Sequence, residues 1–406
     1  MKHIIFTSPK HTAFEQNERD WARKELKDVL FVSDFPEHAL KANADYVAIR
    51  SSFSNMDRLG HLARFGWELS AFLVKELCSK YTSVSYLKRW RQTFSLLFKV
   101  SMQVDSLKPL LIQNNAKASY TMWANDHALL LALAKRRGYI KRCYSRAHGR
   151  DVIEYREPIT GKLPFQAFKY SQLDGVYCVS KFTQGYIKER YPQYARKMVV
   201  SYLGTEDRGS GPLHPESDEF VLVSIGRVRN VKRFYLIAEM LIHAEKSIRW
   251  VHFGDVSSHD PTTARYEAVL KTLYSKTNVT LHHFGHTPNS KILDYFSGHY
   301  IDCLVNSSEN EGLPVSIQEA ISFGIPCVAT DVGGTSDIVT ESTGVLLKSD
   351  FYPKSTMKLL EEFITSKARN MSFREQTRLF WKENFDAAKN YPRFFQSLKS
   401  QGTFEA

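Results

Sequence analysis

Two glutamates, Glu311 and Glu319, bracket Gly312, Leu313, Pro314 and Val315 where an apolar strand, 301–305, passes through a polar loop, 306–310, into a helical pattern. Proline suits the first helical turn, so the spacing predicts a helix that starts near Pro314 and ends by Gly324. Behind the flexible Gly312, such a helix presents backbone N–H groups at the positive end of its dipole, which is an anion site. Glu311 would stand at the mouth of that site and Glu319 over a turn inside. Carboxylates repel phosphate, so the two acids suit the hydroxyls flanking it, each accepting charge-assisted hydrogen bonds from a diol. A diphosphate with a sugar at each end fits that layout. A capping acid and a solvated glutamate would explain either residue singly, but not the pair around Gly and Pro.

The second constellation is Gly226, Arg227 and Lys232, at the end of the candidate strand 219–225. Gly226 lets the chain turn tightly, while Arg227 and Lys232 project from the loop and the first turn of the next helix, where both could meet one diphosphate. A hydrogen bond to a charged group is worth roughly 1.5–3 kcal/mol, so losing either cation should weaken binding about tenfold or more.

These residues carry a family resemblance. Gly226-Arg227 with Lys232 five residues after the Arg, Gly254-Asp255, Phe284-Gly285, Glu311 to Glu319-Ala320, Gly324-Ile325-Pro326 and Asp331-Val332-Gly333-Gly334 occur in order over about 175–350. The pattern resembles glycosyltransferase family 4, in its bacterial polysaccharide branch. The resemblance implies an α/β GT-B fold: two Rossmann-like domains facing across a cleft, the C-terminal one holding the nucleotide-sugar, with a last helix crossing back. It implies that Arg227 and Lys232 hold the diphosphate, Glu319 the ribose hydroxyls and Glu311 the transferred sugar. Backbone amides of Gly312, Leu313 and Val315, around Pro314, would reach the phosphates, and Gly254, Gly285 and His286 would border the base. The implied reaction is hexosyl transfer with retained anomeric configuration, from a UDP- or GDP-sugar to a glycan or lipid-linked acceptor of surface polysaccharide.

The first half resembles the family at fewer places: Phe14 to Glu18, Ser145 to Asp151, and Val179-Ser180-Lys181. The His-Gly pair makes His148 the candidate for lining the donor sugar. Many relatives carry a Gly-Gly loop after the first strand, where this chain reads Ser8-Pro9-Lys10-His11-Thr12-Ala13, and Lys10 or His11 could substitute by charge. No Asp-x-Asp occurs, so cations and a helix end, not a divalent ion, are expected to grip the diphosphate. His282-His283-x-x-His286 is a weak metal signal, because adjacent strand residues point to opposite faces. No cofactor is expected, and no nucleic-acid partner. A sugar-nucleotide epimerase, a phosphorylase-like enzyme, or a non-catalytic basic module on the same scaffold are the alternatives.

Positioning these residues requires βα units in two series. The first places strands at 2–7, 28–33, 45–49, 109–113, 118–122, 142–146, 175–179 and 198–203. The second places them at 219–225, 248–254, 278–284, 301–305, 325–330 and 343–347. Between the two series, 204–218 is rich in turn formers and charges. The chain of 406 residues therefore divides into a domain at 1–207, completed by about 386–406, and a nucleotide-sugar domain at 213–385. The aromatic-rich end, from Trp381 through Phe385 and Tyr391 to Leu398, is expected on the first domain.

Charge is uneven: residues 1–210 hold 34 Lys and Arg against 20 Asp and Glu, and the remainder 21 against 23. A basic half suits an anionic partner such as membrane headgroups or a lipid-linked phosphate, though a basic solvated surface also aids solubility. Residues 54–104 look helical. Trp90, Phe94, Leu97 and Phe98 share one helix face with Lys88, Arg89, Arg91 and Lys99 nearby, and that face either meets a membrane interface or packs on the core. No apolar stretch of spanning length and no signal peptide is visible, and the five cysteines form no C-x-x-C. The expectation is a cytoplasmic protein, with peripheral contact to the inner membrane face as a further expectation.

Overall fold

A strand buried on both faces needs a nearly continuous apolar run, and Ile4-Ile5-Phe6, Leu30-Phe31-Val32 and Leu222-Val223 supply it. The computed structural model describes residues 2–7, 13–33, 46–80, 90–114, 118–156, 163–215, 217–257 and 260–400. The chain forms two compact units, Met1–Ser201 with Tyr391–Ala406, and Tyr202–Asn390. The turn-rich stretch 204–218 belongs to the second unit, where Gly211 N donates to Phe323 O at 2.9 Å.

In the first unit β1 (His3–Thr7), α1 (Ala13–Glu25), β2 (Val29–Ser33), β3 (Tyr46–Ala48), α2 (Asn55–Lys80), α3 (Trp90–Asn114), β4 (Ser119–Thr121), α4 (Asp126–Arg136), β5 (Cys143–Ala147), α5 (Gln166–Gln172), β6 (Gly175–Cys178), α6 (Lys181–Arg190) and β7 (Met198–Val200) follow in order. Among the described residues the seven strands form one parallel sheet, ordered β3-β2-β1-β4-β5-β6-β7. Ile5 of β1 lies opposite both Phe31 and Tyr120. The order reverses between β1 and β4, the kind of switch point beside which doubly wound sheets bind ligands.

The second unit runs β8 (Phe220–Ile225), α7 (Phe234–Leu241), β9 (Ile248–Phe253), α8 (Thr263–Leu273), β10 (Val279–His283), α9 (Asn289–Gly298), β11 (Cys303–Asn306), α10 (Val315–Ser322), β12 (Cys327–Thr330), β13 (Gly344–Leu347), α11 (Pro353–Phe363) and α12 (Met371–Asn384); α13 (Ala387–Lys399) begins in it and belongs to the first unit from Tyr391 on. Its six described strands are also parallel, ordered β10-β9-β8-β11-β12-β13, with the reversal between β8 and β11. Those are the strands that lead into the two predicted constellations.

Two expectations need correction, and the alternative left open for the face of Trp90, Phe94, Leu97 and Phe98 falls to packing on the core. Residues 109–113 are not a strand but the end of α3, where Val100, Val104, Leu107 and Leu111 are buried at helical spacing and Pro109 is accommodated inside the helix. Trp90, Phe94, Leu97 and Phe98 do not present a free stripe: Leu97 is fully buried, and Phe94 stacks on Phe98 with ring centroids 5.9 Å apart. The aromatic C-terminal end is divided between the units. Trp381 donates to Thr205 Oγ1 at 2.8 Å within the second unit, whereas in the first unit Tyr391 stacks on Trp21 and Phe394 meets Tyr120 and Tyr177 edge-on. Among the described residues no helix is long and apolar enough to cross a membrane.

Candidate functional site

The loop leaving β8 makes a single 3₁₀ turn at Asn230–Lys232 before α7 begins, so Lys232 stands in that turn rather than in the helix. Arg233 closes the turn in the left-handed region, at φ 49°. Such a backbone costs about 1–3 kcal/mol. It persists because the Arg233 guanidinium donates to Ser307 O at 2.8 Å, Ser308 O at 3.1 Å and Ser349 O at 2.7 Å. Ser307 Oγ donates back to Lys232 O at 2.9 Å, and Glu309 N donates to Val231 O at 2.8 Å. The loops after β8 and β11 are thereby laced into one surface.

That lacing brings Lys232 to Glu311, Nζ to Oε1 at 2.6 Å. The same oxygen accepts from Ser308 Oγ at 2.7 Å and Asn306 Nδ2 at 3.3 Å. Burial alone would raise the Glu311 carboxyl, but the Lys232 charge and these three donors hold it below the ordinary carboxylate range. It is an anion at neutral pH.

Helix α10 begins one residue later than predicted, at Val315, with Pro314 as its N-cap and Phe323 as its C-cap; Gly324 follows at φ 75°. Its first intrahelical bonds run from Ile317 N and Gln318 N to Pro314 O, so the amides of Val315 and Ser316 precede them and lie at the positive end of the dipole. Gly312 O accepts from Gly334 N at 3.0 Å, which ties the glycine pair after β12 to the same turn. Leu313 is buried and anchors the segment.

Glu319 is 7% exposed, and Oε1 accepts from Asn289 Nδ2, on the first residue of α9, at 2.8 Å. Burial pushes its carboxyl up to about 7, with Asn289 and the Arg208 charge opposing. Glu311 and Glu319 thus differ in state although they share one short segment: one has a cation against it and the other an amide.

The third patch lies at the ends of β8, β9 and β10. Gly226 N donates to Phe253 O, Gly254 N to Gly285 O and Val228 N to Asp255 O, each at 2.8 Å. All three glycines take positive φ. At Gly254 a Cβ would meet Gly226 O at 2.0 Å. Gly254→Ala is therefore expected to cost at least about 2–4 kcal/mol. A calorimetric melt within a degree of the parent protein would contradict this packing.

An open depression of about 420 Å³ is lined here by Arg227, Asp255, Ser257, His283 and Gly285. Arg227 is exposed, 4.0 Å from Asp255 Oδ2, which His286 Nδ1 approaches to 3.9 Å. Lys232 and Glu311 are in contact, Arg227, Gly254, Gly285 and His286 share this depression or its rim, and Glu319 is held separately by Asn289.

In the first unit His148 is buried against Trp123, ring centroids 4.2 Å apart, and Nε2 lies 2.9 Å from Met122 O. Burial, with the Arg146 charge behind it, drops the imidazole to about 3, so it is neutral at physiological pH. Asp151 holds the turn, accepting from the backbone N–H groups of His148, Gly149 and Ala124 at 2.8–3.0 Å. Behind it Glu18, Tyr120 and Arg146 form a fully buried network, with Tyr120 OH donating to Glu18 Oε1 at 2.6 Å and Arg146 Nε to Tyr120 OH at 3.0 Å. Residues 8–12, including Lys10 and His11, lie outside the described residues.

Residues 210–380 match the family of glycosyl transferases group 1. This stretch is similar to group 1 glycosyl transferase domains. Both glutamates, both cations and the three glycines of the depression fall inside it. The Bacillus subtilis (strain 168) protein TuaC, whose name assigns it to teichuronic acid biosynthesis as a glycosyltransferase, is 27% identical over 144 residues; these are 36% of this chain and 32% of that relative's length. The match thus spans about a third of the curated relative.

Among solved structures, the lipopolysaccharide outer core galactosyltransferase WaaB in its apo form superposes with a TM-score of 0.69 at 15% identity, covering 99% of each chain. Anabaena Alr3699/HepE in complex with UDP gives 0.69 at 13% identity, covering 98% of this chain and 99% of that one. At such identities the likeness shows the fold, the two parallel-sheet domains of GT-B.

Sequence reading missed several contributors to this site. Asn306 ends β11 and Ser308 follows it in a stretch whose composition is ordinary for a turn, and Asn289 is one of several residues after a proline. Arg233 adjoins Lys232 in sequence, and only its left-handed backbone distinguishes it as a clasp. Asp255 carried a signal, since it follows the strand-ending Gly254.

Proposed function

We propose that the chain is a retaining glycosyltransferase that moves a hexosyl unit from a UDP- or GDP-sugar to a hydroxyl of a glycan or lipid-linked acceptor in surface polysaccharide synthesis. The observation that carries this reading is the Lys232–Glu311 pair at the amide end of α10, inside the stretch similar to group 1 glycosyl transferase domains. UDP named in the HepE complex supports a nucleotide donor, and the name of TuaC supports a polysaccharide setting.

The leaving nucleotide would be gripped by Arg227, Lys232 and the amides that open α10, so that the charge developing on its phosphate meets fixed cations and dipoles. This grip needs no divalent ion, which is the basis for reading the enzyme as metal-independent. Glu311 and Glu319 would accept from hydroxyls of the transferred sugar and the ribose. With the C–O bond to phosphate broken first, the acceptor hydroxyl arrives on the same face and passes its proton to the departing phosphate, which retains the configuration. His148 is assigned to the donor sugar by resemblance alone.

The test is nucleotide release and thermal shift against a panel of UDP-, GDP- and ADP-sugars, with and without glycan acceptors. One UDP- or GDP-sugar should raise the melting temperature and release nucleotide faster with acceptor. Conversion of the donor without acceptor would replace this reading by an epimerase. A salt-sensitive RNA complex with no nucleotide-sugar affinity would replace it by a binding module.

A further inference from the structure

Among the described non-glycine residues only Arg233 shares the left-handed region with Phe165, which stands there at φ 58°. Residues with a Cβ avoid that backbone and keep it only where their surroundings fix it, often close to functional sites. Two groups fix Phe165. Its ring is buried in the core of the first unit, and its N–H donates to Glu76 Oε1 at 2.7 Å.

Glu76 comes from near the end of α2, a helix that packs by one side only. His61 and Leu69 are buried, His61 Nε2 lies 2.8 Å from Ser101 Oγ of α3, and Phe72 meets Phe168 of α5 edge-on at 4.6 Å. Met56, Leu59, Trp67 and Val74, on the other side, are exposed. Glu76 continues the packed side at four residues beyond Phe72 and is itself buried.

The bend at Phe165 aims the residues that follow it. Gln166, the first residue of α5, is fully buried and donates from Nε2 to Asp151 O at 3.0 Å; one turn on, Lys169 Nζ donates to Ala124 O at 2.6 Å. Asp151 and Ala124 belong to the clasp on His148. Asp151 Oδ2 accepts from Ala124 N, and Oδ1 from the N–H groups of His148 and Gly149. Contacts therefore run without a gap from the Glu76 carboxylate through Phe165, Gln166 and Asp151 to the backbone that carries the His148 imidazole.

We propose that Glu76 is a positioning residue for His148: it holds Phe165 in the left-handed bend from which Gln166 fixes Asp151, and Asp151 sets the turn that bears the imidazole. The proposal rests on the assignment of His148 to the donor sugar made above. Its effect falls on the placement of a reacting group and not on the grip of the nucleotide, which the same reading gives to Arg227, Lys232 and the amides of α10.

Two measurements on the full chain test it. The first is amide hydrogen exchange in the peptide 146–153, which reads no sugar transfer. Glu76→Ala removes the acceptor from Phe165 N and should speed exchange there about tenfold or more, while β8 of the second unit exchanges as in the parent. Glu76→Gln keeps an oxygen that accepts from Phe165 N and should restore the protection. The second is steady-state nucleotide release from the UDP- or GDP-sugar that the panel above selects. Glu76→Ala should lower kcat about ten- to a hundredfold with the donor KM within about twofold of the parent, and Glu76→Gln should recover most of the loss. Should Glu76→Ala melt too low to assay, Gln166→Met tests the other end of the chain of contacts. It removes the donor to Asp151 O, leaves Phe165 and α2 in place, and should give the same exchange and the same fall in kcat.

Parental exchange at 146–153 in both Glu76→Ala and Gln166→Met overturns the proposal. So does a loss of activity that falls on the donor KM alone, or one that Glu76→Gln shares in full. If the turn loosens while His148→Ala releases nucleotide at the parental rate, the link from Glu76 to the turn stands and the assignment of His148 to the donor sugar falls.

Discussion

Lys232→Ala should lower turnover of the donor by about 10²–10³-fold while the protein remains folded, because it removes the cation proposed to meet the leaving phosphate. A second effect accompanies it. Glu311 keeps its bonds from Ser308 and Asn306 but loses the charge that opposes its burial. The stability effect has a defined sign with pH. In the parent the Glu311 carboxyl titrates below its ordinary value of 4.5, so the stabilisation it brings is present above that value and is lost as the pH falls through the folded one. The melting-temperature gap between parent and variant should therefore be widest at neutral pH and close in acid. Steady-state nucleotide release and calorimetry from pH 3 to 8 measure both. Parental turnover in the variant would remove Lys232 from the mechanism.

The second large effect is at Glu319, whose buried carboxyl sits near 7. Only the ionised form accepts from both hydroxyls of a ribose, so donor affinity should fall as the pH drops from 8 to 6. Titration near 7 limits the loss over this interval to about tenfold, the ratio of ionised carboxylate at the two pH values. Glu319→Gln should bind the donor weakly at every pH, with a flat profile.

The ligand-free protein responds in the opposite direction. A carboxyl raised above its unfolded value contributes stability that is present at low pH and is lost as the pH rises through about 7. Glu319→Gln should therefore melt above the parent at pH 8 and close to it at pH 5. Isothermal titration with nucleotide and thermal melts at matched pH separate the two trends. A donor affinity in the parent that does not change between pH 6 and 8 would exclude ionised Glu319 from ribose recognition.

Much of the architecture was legible along the chain because each βα unit announces itself locally. The apolar runs of β1, β2 and β8 and the turn formers between strands can be read without knowing what they touch. The misreading at 109–113 is of the same origin: Pro109 and the apolar run after it have the local look of a strand. What makes them helical is Val104, Leu107 and Leu111 facing a common core, which is a tertiary fact. The stripe from Trp90 to Phe98 and the strip from Met56 to Val74 pose the same problem in mirror image. Both have helical periodicity, and periodicity does not say which of two amphipathic helices is covered.

Sequence by itself determined the six strands of the second unit, the Gly-Arg…Lys and Glu…Glu spacings, and the charge difference between the halves, since these are written in composition or in neighbours within a few turns of chain. Tertiary structure decided that Lys232 meets Glu311 through the Arg233 clasp, that Glu319 has an amide and not a cation beside it, and that α2 rather than α3 shows its apolar side. Those outcomes depend on groups 30 to 79 residues apart, or on helices meeting a common core. Burial and electrostatic partnership are properties of the folded neighbourhood, and no local pattern encodes them.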